Sequence, residues 1–579
     1  MMNTSVEERL AVIETTMGRR PPTVWFKGGQ VLNVYTGAVE YQDVWVGGSQ
    51  IAFVGSREEG KLNPDSSTKV VDVEGMVLVP GYIEPHSHPF QLYNPVSLTE
   101  KVLPLGTTAM IHDNLYFFRS LDDDRWQEWR ERLTASAVHH FWWARLDAQA
   151  RLDADEDPFT LERVKLAMSH PSTLQAGELT DWMPLLSGDQ KRVAMVEQAH
   201  RYGKRVEGHS PGASYRTLSR LAAAGVTGDH ESITVEEVLH RLRLGYMTTL
   251  RYSSLRPDLP DLIRGLLQQQ APVPWHRLMM TTDGPTPPAL RQGHVDAMIR
   301  VAIQAGCPPE HAYGMVTLNP AVYFGLDAHI GGIAPGRSAD INVLRSLEDP
   351  TPIQVFVRGE RAAQSGRLLV EQPQPDWERF PPLISAPWRL QKKDVALSLE
   401  KGEQAPVIHL VNPVITQLKW EAVDEVDEER LFVSLIDPAG QWTTQAFLRG
   451  FARGIDGLAS SYNGSGDLLL LGRDPDAMVK AGQRVLDNGG GIAWFQGGGE
   501  SFFLPLPIGG KMSDQPIDDL IEKSEELVTK LKNFDHPFHD PIYTFLFLSS
   551  THLPQVRLTR DGLVRIKDGA IIRPATPLT

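Results

Sequence analysis

The chain has 579 residues, 41% of them hydrophobic and 22% charged, a globular composition that excludes disordered, collagenous and coiled-coil classes. Its net charge of −15 offers no basic footprint for nucleic acid or an anionic membrane. Its one cysteine, Cys307, excludes an internal disulfide and a cysteine-built metal cage, which suits a reducing cytoplasm.

This length predicts several domains, because single hydrophobic cores stop growing at roughly 250–300 residues. Residues 1–22 mix acidic and apolar side chains and read as one amphipathic helix closed by Arg19-Arg20-Pro21-Pro22 rather than as a signal peptide. No run approaches the ~20 apolar residues of a membrane helix, and Leu468–Leu471 is strand-sized. Residues 23–79 show short apolar runs broken by Gly-Gly and Gly-Ser pairs, the texture of a small antiparallel β unit. From 80 to 329 short apolar runs alternate with helix-like segments, which suits one (β/α)8 barrel of about 250 residues. A doubly wound sheet competes, but no Gly-rich dinucleotide fingerprint follows an early strand. Residues 330–372 return to strands and turns and are expected to complete the sheet begun by 23–79. A Pro-rich linker at 373–388 then leads to a C-terminal α/β domain at 389–579. The expected fold is thus α/β: a TIM-like barrel inserted in a small split β domain, plus a C-terminal α/β domain.

His86 and His88, in VLVPGYIEPHSHP, stand at i and i+2 at the end of an apolar run. Both imidazoles would face one side of a strand, at the barrel rim where active sites are built. Glu178, His209, His230 and Asp283 each follow a short apolar or β-prone run and precede turn residues. Their spacing from His88 tracks βα units and predicts ligands on strands 1, 4, 5, 6 and 8. Four imidazoles and two carboxylates suit one or two divalent ions.

VPGYIEPHSH resembles the strand-1 signature of the amidohydrolase superfamily. More narrowly, GTTAMIHDN, AGELTDW, EGHSPG, GVTGDHES, TTDGPTP and LPLPIGGKMSD resemble the adenine deaminase branch, in order, along nearly the whole chain. The resemblance implies a metal-dependent hydrolytic deaminase of a small heterocycle, adenine first, with two divalent ions (Mn, Fe or Zn) and a homodimeric assembly. His86 and His88 would hold one ion and His209 and His230 the other, with Glu178 bridging. Asp283 would bind metal and shuttle protons while hydroxide attacks the amino-bearing carbon. Glu231 is a further catalytic candidate, for orienting groups or touching substrate; a helix-capping or ion-pairing role competes.

Three positions depart from the branch pattern. Glu84 replaces the usual Asp. Asp113 keeps its place, but Leu115 and Tyr116 stand where the branch has a His-Glu pair. Arg251 is followed by Tyr252 rather than Glu. Asp113, Arg251 and His112, the last a candidate replacement for the missing histidine, are therefore the expected substrate contacts. His139 and His140 read as packing residues and His536 and His539 as loop histidines. NGGG and QGGGE read as a helix cap and a tight hairpin, because P-loop spacing is missing. A hydrolase of another purine, a pterin or a cyclic amide, or a metal-binding paralogue without turnover, are the alternatives.

Overall fold

The computed structural model describes residues 5–152, 157–383, 388–397, 402–422 and 428–578. The N-terminal helix spans Val6–Thr16, shorter than the expected 1–22. Ser5 caps it reciprocally with Glu8, and Gly18 turns the chain at φ +68° well before the prolines. Only Val12 and Thr15 are buried, against Gly47, where an added Cβ would come within 2.9 Å of the Thr15 hydroxyl. The opposite stripe of Val6, Leu10 and Ile13 is exposed.

Behind the helix lie two sheets. The first orders Gln50–Gly55, Asp43–Gly47, Val24–Lys27 and Lys69–Asp72. The second runs through Glu360–Gln364, Gln354–Val357, Ile341–Leu344, Val77–Pro80 and Gln30–Asn33 to Ala38–Tyr41. Its centre joins the two sides of the barrel insertion, Ile341 lying antiparallel opposite Pro80. The unit is not wholly antiparallel as expected. Val24 pairs in parallel with Lys69, and Gln30 with Val77, because a long excursion separates each pair and leaves room for a crossover.

The barrel strands are Tyr82–Ser87, Thr107–His112, His139–Ala144, Thr173–Leu179, Arg205–Gly208, Gly228–Asp229, Met247–Arg251 and Leu278–Thr281, all parallel and in sequential order. Helices such as Gln190–Arg201 and Val295–Gln304 cover the outside. Strands 1 and 8 do not share a ladder among the described residues. At one end of this seam Ile83 N donates to Val316 O at 2.7 Å and Met280 N to Met315 O at 3.3 Å, so the segment 315–316 lies between the two strands. At the other end Glu84 accepts from Thr281 Oγ1 at 2.5 Å, Thr282 N at 3.0 Å and Thr282 Oγ1 at 2.8 Å. The methylene by which Glu84 exceeds aspartate is spent reaching strand 8.

The segment 373–388 holds a short turn of helix, Trp377–Arg379, and Phe380 stacks 5.6 Å from Tyr116. Beyond it a nine-stranded sheet, centred on Arg430–Ile436 and Leu468–Gly472, carries the helices Pro475–Asp487 and Ile517–Lys532. A separate three-stranded sheet begins at Val556–Thr559. NGGG follows the helix Pro475–Asp487, and QGGGE turns the hairpin between Gly491–Gln496 and Gly499–Pro505. At Gly490 a Cβ would lie 2.3 Å from the Cα of Gly510, so NGGG packs against a further glycine pair, Gly509-Gly510, just ahead of Lys511. Among the described residues no helix is long and apolar enough to cross a membrane.

Candidate metal centre

Six of the expected residues meet at the C-terminal ends of the barrel strands, where alternation turns every second side chain inward. Nε2 of His86 and Nε2 of His88 lie 3.2 Å apart. Asp283 Oδ1 is 3.2 Å from the first and 3.1 Å from the second. On the far side His209 Nδ1 and His230 Nε2 also lie 3.2 Å apart, with Glu178 Oε1 at 2.6 and 3.6 Å from them. The His86 and His230 rings, 4.1 Å between centroids, link the two halves. Four ring nitrogens aimed at one another in a buried site, with carboxylate oxygens among them, are a donor set made for cations. The groupings His86–His230–Asp283, His86–His88–Glu178 and Glu178–His209–His230 each bring ligand atoms within 4.8 Å of one another.

Two carboxylates hold the outward nitrogens: Glu207, which sequence reasoning missed, and Asp113, which it expected as a substrate contact. Glu207 accepts from His86 Nδ1 at 3.0 Å and from His230 Nδ1 at 3.1 Å. Asp113 accepts from His88 Nδ1 at 2.9 Å. Asp113 therefore fixes the His88 ring as well as lining the cavity. Arg145, fully buried, donates to Asp113 Oδ2 at 2.6 Å and Glu178 Oε2 at 2.7 Å. Burial works against these charges, but Arg145 and His209 hold the Glu178 carboxyl well below its usual range. Burial likewise depresses His86, yet Glu207 and Asp283 raise it to about 9.

Arg251 forms ion pairs with both Glu231 and Asp283. Against the cost of burial, Arg251, His86 and His88 hold Asp283 well below the usual carboxylate range. Asp283 itself sits at φ +56°, a left-handed backbone that aspartate tolerates better than most residues. Burial opposes the Glu231 charge too, but His209, Arg251, His230 and Arg256 bring it to about 2. The capping role weighed for Glu231 belongs to Thr234 and Glu237, which close the box at the start of the helix Val235–Arg243.

His112 does not line the cavity, contrary to the expectation of substrate contact. Asp113 turns inward to His88, so its neighbour on the strand turns outward. There His112 Nε2 meets His140 Nδ1 at 2.8 Å, and its ring packs 4.9 Å from Trp142. His139 is tied to Asp340 at 2.9 Å. His536 is buried with Nδ1 donating to Phe451 O at 2.5 Å rather than lying free on a loop, while His539 sits exposed at the cavity rim. Cys307 is buried, and desolvation pushes its thiol up to about 12.

Above these histidines and carboxylates opens a cavity of about 1050 Å³ walled by both the barrel loops and the C-terminal unit. Leu115 and Tyr116 line it on the barrel side; Tyr462, Lys511, Tyr543 and His552 line it from the C-terminal side. Ser513 N donates to Leu92 O at 2.6 Å and Tyr543 Oη to Gly284 O at 3.1 Å, clamping the roof onto the loops after strands 1 and 8. The His552 ring stands edge-on to His209 at 5.6 Å, with Nδ1 buried and unpartnered. Burial, then His209, lowers His552 to about 3, a neutral imidazole facing the site.

Eight parallel strands carrying histidine and carboxylate clusters at their C-terminal ends define an amidohydrolase, and residues 77–362 match the amidohydrolase family. Residues 411–570 match the adenine deaminase C-terminal domain. The chain is 36% identical over 577 residues to "Putative adenine deaminase" of Halalkalibacterium halodurans, covering 98% of this chain and 97% of that one. It is 30% identical to adenine deaminase of Cenarchaeum symbiosum, covering 96% and 93%. The chain belongs to the adenine deaminase family of amidohydrolases, and is thereby a hydrolase of carbon–nitrogen bonds.

Proposed function

We propose that this protein is a metal-dependent hydrolytic deaminase, with adenine plus water giving hypoxanthine plus ammonia as its first candidate reaction. The observation that carries this reading is the convergence of four imidazole nitrogens with Glu178 and Asp283 under one cavity. His86 and His88 would hold one divalent ion and His209 and His230 the other, with Glu178 between them. Such ions supply Lewis acidity that makes water a nucleophile near neutral pH, and Mn, Fe and Zn all suit these donors. Asp283, kept ionised by Arg251, accepts the proton of the attacking water and passes it to a ring nitrogen or the departing ammonia. Glu231 fixes Arg251 and, through a 3.0 Å contact, Arg256 at the edge of the cavity.

A second substrate reading, another purine, a pterin or a cyclic amide, is favoured by one observation. Leu115 and Tyr116, which replace the branch's His-Glu pair, line the cavity itself. Ammonia release from a panel of purines, pterins and cyclic amides, with Mn, Fe and Zn reconstituted separately, decides between them. Adenine turnover at least equal to that of any other compound supports the first reading. Silence on adenine with another compound active transfers the assignment.

A further inference from the structure

The cavity is larger than a bicyclic base requires. At about 1050 Å³ it lies just above the ~300–1000 Å³ typical of sites for drug-sized ligands. Its wall carries two cations, Lys511 and Arg119, that the proposed chemistry leaves unused. Lys511 is only 6% exposed, and its ammonium sits 4.9 Å from the centroid of Tyr116. One of its donors goes to Asn463 O at 2.5 Å. Arg119 spends its terminal nitrogens on two backbone carbonyls, Gly464 O at 3.3 Å and Ser465 O at 2.9 Å. Neither cation has a carboxylate oxygen within 4 Å among the described residues. An ammonium has three donors and a guanidinium five, so both retain donors for a ligand.

We propose that Lys511 and Arg119 form a second subsite of the cavity, one that binds an anionic group, carboxylate or phosphate, carried by the heterocyclic substrate. The proposal rests on the reading of this cavity as a substrate site, and takes up the second substrate reading, with a ring amine carrying an acidic substituent in place of adenine. Its physical basis is the placing of two basic side chains on one cavity wall, hydrogen-bonded to backbone carbonyls with donors left over. Burial and the neighbouring Arg119 lower the Lys511 ammonium to about 7. The adjacent Asp467 opposes this incompletely, since burial pushes its own acid up to about 6. A buried lysine and a half-buried arginine share one neighbouring carboxyl group, Asp467, so an anion entering the cavity would favour the charged form of Lys511 and take up the donors both side chains keep free. The segment that carries Lys511 is docked through Ser513 onto Leu92, just beyond His88, so the subsite and the metal centre share one rigid wall.

Isothermal titration of the full-length, metal-loaded protein with adenine, 9-carboxymethyladenine and 9-phosphonomethyladenine tests this. At least one anionic probe should bind about tenfold tighter than adenine, the worth of one charge-assisted contact. A leading carboxylate points to a carboxylic acid substrate and a leading phosphonate to a phosphate ester. Lys511→Met should erase the advantage and Lys511→Arg should keep it, which separates the subsite from direct binding of the anion to metal. Equal affinity for the three compounds in the unaltered protein overturns the proposal without recourse to any variant. So does an advantage that survives Lys511→Met. Ammonia release from the same compounds is scored separately. Anion preference without ammonia sinks the deaminase reading and leaves the subsite standing, whereas ammonia from adenine with equal affinities does the reverse.

Discussion

Glu207 Oε2 holds the Nδ1 of His86 at 3.0 Å, and through its other oxygen the same carboxylate holds His230 at 3.1 Å. One side chain thus sets the tautomer and ring angle of a histidine in each half of the site. Gln175 in turn steadies Glu207 through a 2.7 Å bond to Oε2. Glu207→Gln should weaken metal affinity by about 10–100-fold without removing a ligand. Competition against a chelator of known strength measures this, and unchanged affinity would deny Glu207 its orienting role.

Asp283 is the only proposed proton carrier that also faces both strand-1 histidines. Asp283→Asn keeps its shape but not its basicity, so kcat should fall by about 10²–10⁴-fold. Ammonia release under saturating substrate reads the effect. A kcat within a few-fold of the unaltered enzyme would assign the proton to another group.

Glu178 Oε1 lies 2.6 Å from His209 Nδ1 and 3.6 Å from His230 Nε2, closer to the pair than Glu231 Oε1, which stands 3.6 Å from each. In Glu178→Gln the metal content per chain, read by elemental analysis after gel filtration, should fall. Unchanged stoichiometry would remove Glu178 from the bridge.

Lys511 should write itself into the pH dependence of stability. Its folded value near 7 lies below the ordinary 10.5 of the unfolded chain. The unfolded state therefore takes up the proton first as pH falls, and stability contributed by the neutral amine is lost between those two values. Lys511→Met lacks this term. Its unfolding midpoint should gain on that of the unaltered protein as pH drops from about 10 to 7, measured by thermal denaturation in matched buffers. A constant difference across that window would show that Lys511 titrates normally.

The buried Cys307 thiol, pushed up to about 12, should be inert to aromatic disulfide reagents in the folded protein and react fully after denaturation. Rapid reaction of the native protein would contradict its burial.

Much of the architecture is legible in the sequence, for reasons that lie in particular residues. His86 and His88 could be paired because i and i+2 on a strand share a face whatever the surrounding fold. His112 was misassigned because the choice between two adjacent residues depends on strand register, and composition carries no trace of register. Glu207 was readable in principle, standing two residues before His209 on the same strand face, but a lone glutamate in RVEGHS has no mark of its own. Lys511 and His552 were not readable at all. They reach the cavity from a unit whose contact with the barrel depends on long-range docking, and no periodicity reports that. The parallel pairings in the split β unit were hidden similarly, since glycine-rich turns suggest hairpins and say nothing of strands that return after a long detour.

That split sheet has a consequence for biosynthesis. Val77–Pro80 leaves the ribosome with its partner Ile341–Leu344 still untranslated and the entire barrel to come. Until then the nascent chain presents an apolar strand edge with only Gln30–Asn33 beside it. The sheet is thus finished after the enzyme's catalytic half has emerged, and a message truncated anywhere inside the barrel yields a polypeptide with an open seam.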